Sequence, residues 1–259
     1  MPKEKLIVTD LYGVESAIAT EYRRLLHNIR KKIDKAVIKS VMITSAVGGE
    51  GKSTISSLLA ITAARKGLKT VLMDCDFRKP TVHKLFGMSR GKGMTDVLAQ
   101  GLPIKSAIKK TEQEFLDVIT AGRPTPHPSE LFDSRAIASI VEELKFFYDF
   151  AFVDTPPVIP VSDPMLLAPE MDGAVLVVMA GATAREVVRR AAEIMHSNTS
   201  NLIGVVMNNS NKSLPYYFDY TKYRYSYDRE SYENGDSGNE NGLAKTPETG
   251  KSDKKRLTS

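Results

Sequence analysis

The chain has 259 residues, 42% of them hydrophobic, which is enough for one sizeable core. Its formal net charge of +5 at pH 7 would suit anionic partners but indicates no more than a mildly basic surface. No apolar run is long enough to cross a bilayer and the N-terminus does not resemble a signal peptide, so we expect a cytoplasmic chain that does not span a membrane.

The first predicted element is an amphipathic helix within residues 14–35, whose apolar residues recur at helical spacing. Short runs rich in Val and Ile follow it, and their nearly continuous apolar character predicts strands covered on both faces. These runs occupy residues 37–46, 69–76, 115–122, 147–155, 173–181 and 201–209. Helical patterns lie between some of them, at 53–66, 134–147 and 183–198. The alternation predicts an α/β fold with a mostly parallel central sheet and helices on both faces.

The apolar pattern stops at about Lys212. Residues 233–259 contain too few large apolar side chains to offset chain entropy, so we predict that this tail is disordered. The sequence thus divides into four predicted regions. They are an N-terminal segment with an amphipathic interaction helix (1–36), a folded core (37–211), a tyrosine cluster (212–232) and a disordered tail (233–259).

The segment SAVGGEGKST, residues 45–54, follows a predicted strand and opens a predicted helix, which is the setting of a phosphate-binding loop. Its glycines let backbone N–H groups point at phosphate oxygens, and the helix start adds a positive dipole end. Lys52 can bridge the terminal phosphates, and the Ser53 hydroxyl can ligate Mg²⁺. Ala46 stands where the usual first glycine would be. We predict a P-loop NTPase fold that binds ATP through Gly48, Gly49, Glu50, Gly51, Lys52, Ser53 and Thr54.

Three acidic residues stand at the ends of two predicted strands. Asp74 and Asp76 alternate along one strand end and can share a face, and Asp154 ends another strand. Because parallel strands deliver their carboxyl ends to one edge of the sheet, these acids should converge on Lys52. We predict Lys52, Asp74, Asp76 and Asp154 as catalytic residues, with Asp74 taking the proton of the incoming hydroxyl. Mg²⁺ would be held by Ser53, Asp76 and Asp154.

Three further polar residues could serve either the site or the fold. Arg78 contacts either a phosphate or a neighbouring acid. Asn208, at the end of the last predicted strand, either binds adenine or belongs to a turn. Asp163 is predicted to cap a helix rather than to act in catalysis.

The segment YYFDYTKYRYSYDRESY, residues 216–232, holds most of the tyrosines of the chain. They follow neither the helical nor the strand period throughout, although a short strand or an aromatic patch at Tyr223, Tyr225 and Tyr227 is an alternative. The cluster leaves the core near the sheet edge of the phosphate loop, so it can reach an active site. The predicted phosphate acceptors are Tyr216, Tyr217, Tyr220, Tyr223, Tyr225, Tyr227 and Tyr232.

In combination, GEGKST at 49–54, LMDCDFR at 72–78, FVDTPP at 152–157 and the tyrosine cluster resemble the bacterial tyrosine kinases, the CpsD/CapB-type autokinases of capsule and exopolysaccharide synthesis. The resemblance implies that residues 37–211 are an ATP-binding kinase domain. It also implies that this domain uses ATP and Mg²⁺ to phosphorylate the tyrosines of its own tail, and that an aspartate of the second motif acts as the base.

The same resemblance implies partners. It implies a membrane-embedded polysaccharide co-polymerase or adaptor that activates the kinase and recruits it to the inner face of the plasma membrane. It further implies a homo-oligomer and a tyrosine phosphatase, and no nucleic acid. Ring-forming relatives carry E-x-x-R-x-x-R in the N-terminal helix. Glu21 and Arg24 match that motif here, but His27 replaces its last arginine.

Two other functions stay open at this point. A MinD/ParA-type ATPase switch would share the fold, but its loop would carry a second lysine where Val47 stands. A nucleotide-binding scaffold without kinase activity would also retain the phosphate loop, although the three acids disfavour it.

Overall fold

The computed structural model of the chain describes residues 8, 12, 16–31, 39–198 and 201–209. Within this part of the chain, seven strands form one sheet. In chain order they are β1 (Ser40–Ser45), β2 (Thr70–Asp74), β3 (Ile108–Lys110), β4 (Leu116–Ile119), β5 (Phe150–Asp154), β6 (Gly173–Met179) and β7 (Leu202–Asn208). Their spatial order is β3-β4-β2-β5-β1-β6-β7, and every adjacent pair is parallel except β3 and β4. The predicted mostly parallel sheet is confirmed.

Helices cover both faces of this sheet. They are α1 (Ala17–Lys31), α2 (Lys52–Ala64), α3 (Val82–Leu85), α4 (Met94–Gln100), α5 (Ser134–Phe147), α6 (Asp163–Leu167) and α7 (Arg185–Asn198). Short 3-10 turns occupy Ile104–Ala107, Pro128–Leu131 and Ala168–Glu170. Buried side chains of α1 and α2 form one apolar cluster with the sheet, and those of α4, α5 and α7 form a second cluster on the opposite face.

The central strands are buried at every residue because helices cover both of their faces. This holds for β1, β2 and β5, whose sequences are the nearly continuous apolar runs noted above. Since these strands run parallel, their carboxyl ends lie at one edge of the sheet. Ser45, Asp74 and Asp154 are the last residues of the three strands, so this edge receives the phosphate loop and two of the predicted catalytic acids.

Every predicted strand window contains an observed strand, and the four predicted helices correspond to α1, α2, α5 and α7. The observed strands are shorter than their windows because the outer residues already belong to loops. The sequence did not predict β3, α3, α4 or α6. All four are short, and a short element contains too few residues to establish a period.

The N-terminal helix α1 packs on α2 through the buried side chains of Leu26 and Ile29. On its exposed side Arg24 donates to Glu21 at 2.8 Å, so two residues of the E-x-x-R motif pair within their own helix. None of the helices in the described part of the chain is both long and apolar enough to span a bilayer. The tyrosine cluster and the predicted tail lie outside the described residues, and the division into four regions stays a prediction.

Candidate functional site

The phosphate loop joins the end of β1 to the start of α2, as the sequence predicts. Two of its glycines adopt backbone angles that other residues rarely take, with φ of 87° at Gly49 and 89° at Gly51. Gly51 directly precedes α2, and a Cβ atom there would lie 2.3 Å from Nδ2 of Asn208. Gly51 is therefore required both for its backbone conformation and for the close approach of a neighbouring side chain. The open N-terminus of α2 presents backbone N–H groups and a positive dipole end at this point.

The side chain of Glu50 stabilises the phosphate loop through hydrogen bonds. Its side chain is buried, and its carboxylate accepts the backbone N–H of Val47 at 2.8 Å and that of Met179 at 3.1 Å. The hydroxyl of Thr183 also donates to it. These contacts fasten the loop to the end of β6. The sequence placed Glu50 among the nucleotide-binding residues, but its carboxylate is engaged in holding the shape of the loop.

Asn208, the last residue of β7, also supports the loop. Its side-chain amide donates to the backbone carbonyl of Glu50 at 2.9 Å, and its Oδ1 accepts the backbone N–H of Asn209 at 2.8 Å. Asn209 has a positive φ of 59°, so the chain turns directly after the strand. Sequence reasoning did not foresee the contact with the loop, which lies far away along the chain. Adenine binding by Asn208 stays a prediction.

Lys52, the first residue of α2, lies among acids and a hydroxyl. Its Nζ lies 2.8 Å from Oδ2 of Asp76 and 3.9 Å from Oδ2 of Asp154, and it donates to Oγ of Ser53 at 3.2 Å. Burial lowers the pKa of Lys52, but the negative charges of Asp154 and Asp76 outweigh that effect and leave its pKa raised. The ammonium therefore stays charged at this position.

Asp74 and Asp154 lie directly opposite each other on the adjacent parallel strands β2 and β5, and both are fully buried. Asp74 accepts the backbone N–H groups of Asp76 at 3.1 Å and of Val82 at 3.2 Å. Burial raises the pKa of Asp74 well above its usual value, and the negative charges of Asp154 and Asp76 raise it further. Burial also raises the pKa of Asp154, to about 6, although Lys52 and the nearby Ser53 hydroxyl oppose that rise.

Asp154 has unused capacity to bind a cation. Within the described residues, neither of its carboxylate oxygens has a hydrogen-bond partner at ordinary distance, and Lys52 is 3.9 Å away. A buried carboxylate without such a partner is costly unless something positive approaches it. The described residues hold no group of three or more His, Cys, Asp or Glu side chains arranged as a metal cage. Mg²⁺ needs only one or two carboxylates when waters and phosphates complete its shell, so Ser53, Asp76 and Asp154 fit that ion.

Arg78 lies beyond the acid pair and is engaged with an acid. Its Nε donates to Oδ2 of Asp163 at 2.9 Å, and its Nη2 donates to the hydroxyl of Ser129 at 2.5 Å. This is the acid pairing that the sequence left as one of two alternatives for Arg78. Asp163 is buried and is the first residue of α6, while Ser162 occupies the capping position. The prediction that Asp163 caps a helix is therefore wrong, and the reason is its ion pair with Arg78.

The structure thus brings together the predicted residues of the loop, Lys52, and the three acids at one sheet edge. Glu50 and Asn208 support the loop, and Arg78 is paired with Asp163. The arrangement combines a cradle for phosphate groups, one buried ammonium and three buried carboxylates. Such a site can hold a nucleoside triphosphate with Mg²⁺ and can accept a proton from an attacking hydroxyl.

Comparison with known proteins adds to this geometry. A family model described as "NUBPL iron-transfer P-loop NTPase", of the ParA group, matches residues 36–223, a stretch that includes every site residue described above. Tyrosine-protein kinase YwqD of Bacillus subtilis (strain 168) is 38% identical over 194 residues, which cover 75% of this chain and 82% of that protein.

Tyrosine-protein kinase CpsD of Streptococcus agalactiae is 35% identical over 186 residues, which cover 71% of this chain and 81% of that protein. Among solved structures, the crystal structure of the chimerical protein CapA2B2 superposes with a TM-score of 0.73 at 37% identity. That match covers 78% of this chain and 88% of the other. Sequence and structure therefore give the same group of relatives.

Proposed function

The chain belongs to the bacterial tyrosine kinase family, and on that premise we propose that it is an ATP-dependent protein-tyrosine kinase that phosphorylates its own tyrosine cluster. The observation that carries this proposal is the convergence of Asp74, Asp76 and Asp154 on Lys52 at the mouth of a phosphate loop. A phosphate loop alone suits any nucleotide-binding protein. The additional buried carboxylate, Asp74, supplies the proton acceptor that transfer to a phenol requires.

In the proposed site, the backbone N–H groups of residues 48–54 and the ammonium of Lys52 hold the phosphates of ATP. Lys52 must then exchange part of its contact with Asp76, now 2.8 Å away, for a phosphate oxygen. Ser53, Asp76 and Asp154 would hold Mg²⁺, which when bound neutralises negative charge on the phosphates. The loop itself stays in shape because Glu50 and Asn208 fasten it to the sheet.

The transfer step uses Asp74 as the base. The phenol oxygen of a tyrosine forms a bond to the γ-phosphorus, the bond from that phosphorus to the β–γ bridging oxygen breaks, and ADP leaves. The phenol proton passes to the carboxylate of Asp74. Because burial and the neighbouring acids raise the pKa of Asp74 well above its usual value, this carboxylate holds a proton more readily than an exposed one does.

The cellular role follows from the family. We propose that the kinase regulates the biosynthesis and export of capsular or exopolysaccharide, at the inner face of the plasma membrane. A membrane-embedded co-polymerase or adaptor recruits and activates it, copies of the chain assemble with one another, and a tyrosine phosphatase reverses the modification. Its similarity to relatives named as tyrosine-protein kinases supports this proposal.

The direct test is to incubate the purified full chain with ATP and Mg²⁺, with and without membranes from its native cell, and to detect phosphotyrosine. The Lys52→Ala variant should show no labelling, whereas Lys66→Ala, in the exposed turn that follows α2, should be labelled normally. ATP hydrolysis without phosphotyrosine would instead favour a MinD/ParA-type switch. ATP binding with neither reaction would favour a scaffold.

The acceptor assignment has its own test. Replacing the seven tyrosines of the cluster with Phe should remove most labelling while ATP binding stays intact. Mass spectrometry of the labelled wild-type chain should then place the phosphates within residues 216–232. Persistent labelling of the seven-Phe variant would show that the acceptors lie elsewhere.

A further inference from the structure

A second concave feature lies next to the acids and contains none of the phosphate-loop residues. It is a surface pocket of about 400 Å³, a volume within the range of ligand sites. We call it the basic pocket. It is lined by Arg78, Lys79, Pro80, Thr81, His83, Lys84 and Arg90.

The lining of the basic pocket is strongly cationic and includes no acidic side chain. Lys79, Lys84 and Arg90 form no ion pair with any residue that the structure describes. Two guanidinium nitrogens of Arg90, Nε and Nη2, are buried and have no hydrogen-bond partner in the described part of the chain. Buried polar groups in native proteins are normally paired, so Arg90 is the lining residue whose guanidinium has hydrogen bonds still to make, once its side chain turns toward the pocket.

Hydrogen bonds attach the basic pocket to the candidate active site. Asp74 accepts the backbone N–H of Val82, the first residue of α3, and α3 carries the pocket residues His83 and Lys84. Asp76 accepts the backbone N–H of Lys79 at 2.9 Å. The two acids therefore hold the wall of the pocket directly, and a group bound there lies beside the carboxylates proposed for catalysis.

We propose that the basic pocket binds the phosphate of a phosphotyrosine in the tyrosine cluster, so that one modified tyrosine positions the next for transfer. The inference rests on the proposed kinase function and extends it to the order of modification. A phosphate monoester carries about two negative charges and several acceptor oxygens, which match a pocket with several cations and the unpaired donors of Arg90.

The sequence of the cluster fits this occupant. Its tyrosines recur at short intervals, and Tyr223, Tyr225 and Tyr227 are two residues apart. In an extended chain each residue spans roughly 3.3 Å, so a phosphotyrosine and a tyrosine two residues away are separated by roughly 7 Å. The basic pocket and the acid site share the hydrogen-bonded segment from Asp74 to Lys84, so we infer that neighbouring tyrosines of one extended stretch occupy the two together. Addition of the first phosphate should therefore be slow, and later ones should follow faster.

A binding measurement tests the basic pocket without requiring any phosphoryl transfer. The probe is a labelled peptide of residues 219–232 with phosphate on Tyr225, compared with the same peptide lacking phosphate. The full chain is kept free of ATP and dephosphorylated, and binding is followed by fluorescence anisotropy. We expect the phosphopeptide to bind at least tenfold more tightly, as one or more charge-assisted hydrogen bonds would give.

Substitutions in the basic pocket test whether it is the site that prefers the phosphopeptide. Arg90→Gln should weaken phosphopeptide binding roughly tenfold, the loss expected for one charge-assisted contact. Lys84 is exposed, so Lys84→Gln should not disturb folding. This variant should also weaken phosphopeptide binding. Lys66→Gln removes the same charge at an exposed residue that does not line the pocket, and it should have no effect. Equal binding of the two peptides, or a phosphopeptide preference that survives both pocket variants, would overturn the proposal.

The peptide-binding test can fail or succeed independently of the proposed kinase activity. If the chain fails to make phosphotyrosine at all, peptide binding is still measurable. If the chain is a kinase, the Arg90→Gln and Lys84→Gln variants should add a first phosphate at the wild-type rate and later phosphates more slowly, as counted by mass spectrometry over time. Unchanged accumulation of multiply phosphorylated chains in both variants would also contradict the inference.

Discussion

The side-chain amide of Asn208 donates to the backbone carbonyl of Glu50, so the last residue of an edge strand holds the phosphate loop in place. The two residues are 158 positions apart in the sequence. Tyr216, the first tyrosine of the cluster, follows Asn208 by only eight residues. The loop that would bind ATP is thus fastened to the strand from which the proposed substrate segment departs.

Truncating the side chain of Asn208 should weaken nucleotide binding. Asn208→Ala removes one hydrogen bond to the loop, and we expect ADP to bind about fivefold more weakly, which corresponds to about 1 kcal/mol. Titration calorimetry with ADP and Mg²⁺ measures the change. Asn198→Ala is the matched control, because Asn198 also donates its amide to a backbone carbonyl, that of Ile194, but on α7. Equal affinities of the two variants would contradict a supporting role for Asn208.

Gly51 should be the glycine of the loop that tolerates alanine least. Gly51→Ala would place a Cβ atom 2.3 Å from Nδ2 of Asn208 at a φ of 89°. We expect a loss of about 1–3 kcal/mol in unfolding free energy, together with loss of nucleotide binding. Gly67→Ala is the control, since Gly67 has a φ of 76° but no atom within 4 Å of its added Cβ. Denaturant unfolding should show the larger loss for Gly51.

Adding Asn208→Ala to Gly51→Ala separates the two causes. The second change removes the atom that the new Cβ would meet, so part of the lost stability should return. The remaining deficit should approach the sum of the losses in Gly67→Ala and in Asn208→Ala alone, because the backbone strain and the missing hydrogen bond to Glu50 both persist. A double variant whose loss equals the sum of the two single-variant losses would show that the close contact with Asn208 contributes nothing.

The stability of the nucleotide-free protein should depend on Asp154 in a characteristic pH window. The pKa of Asp154 is about 6 in the folded chain, above the usual value of 3.8, so the folded state binds this proton more tightly than the unfolded state does. Its stabilising contribution is complete below pH 3.8 and is lost as the pH rises through about 6. Unfolding free energy should therefore rise as the pH is lowered from 8 to 5.

Asp154→Asn should remove that dependence. The neutral amide cannot become a buried charge, so we expect the variant to be more stable than wild type at pH 8, by about 1–3 kcal/mol, and to show a flatter pH profile. Thermal unfolding between pH 5 and 8 is the measurement. Asp149→Asn removes an exposed carboxylate and should leave the slope unchanged. Parallel profiles for wild type and Asp154→Asn would contradict the assignment.

The ion pair between Arg78 and Asp163 predicts a non-additive pair of substitutions. Arg78→Gln should destabilise the fold because it leaves the buried carboxylate of Asp163 without its cation. We expect about 1 kcal/mol, at the low end for such a loss because the guanidinium is partly exposed. In an Asp163→Asn background the same change should cost less. A double-mutant cycle in denaturant measures the coupling, and a coupling of zero would show that the pair is not energetically linked.

Much of the architecture was predictable from local pattern. The strands around the site are buried on both faces, so β1, β2 and β5 appear in the sequence as apolar runs that need no knowledge of their neighbours. The phosphate loop is equally local, because its glycines, Lys52 and Ser53 are consecutive. The convergence of Asp74 and Asp154 required one further step, namely that parallel strands end at the same edge.

The contacts that could not be predicted join residues far apart in the sequence. Glu50 accepts a hydrogen bond from the end of β6, and Arg78 pairs with Asp163, which is 85 positions away in the sequence. Nothing in the local sequence distinguishes a glutamate that braces a loop from one that contacts a ligand. The antiparallel strand β3 pairs with β4 through only three residues, so its pattern is too short to establish a period.

Three carboxylates gathered around one ammonium have a consequence for engineering. The nucleotide-free fold carries this concentrated negative charge at a cost, which the cation and phosphates of a bound ligand are expected to relieve. A screen that selects only for heat resistance would therefore favour neutral replacements at Asp74 and Asp154, and would enrich inactive proteins. Directed evolution of this scaffold should instead select in the presence of nucleotide, so that tolerance of heat and retention of chemistry are chosen together.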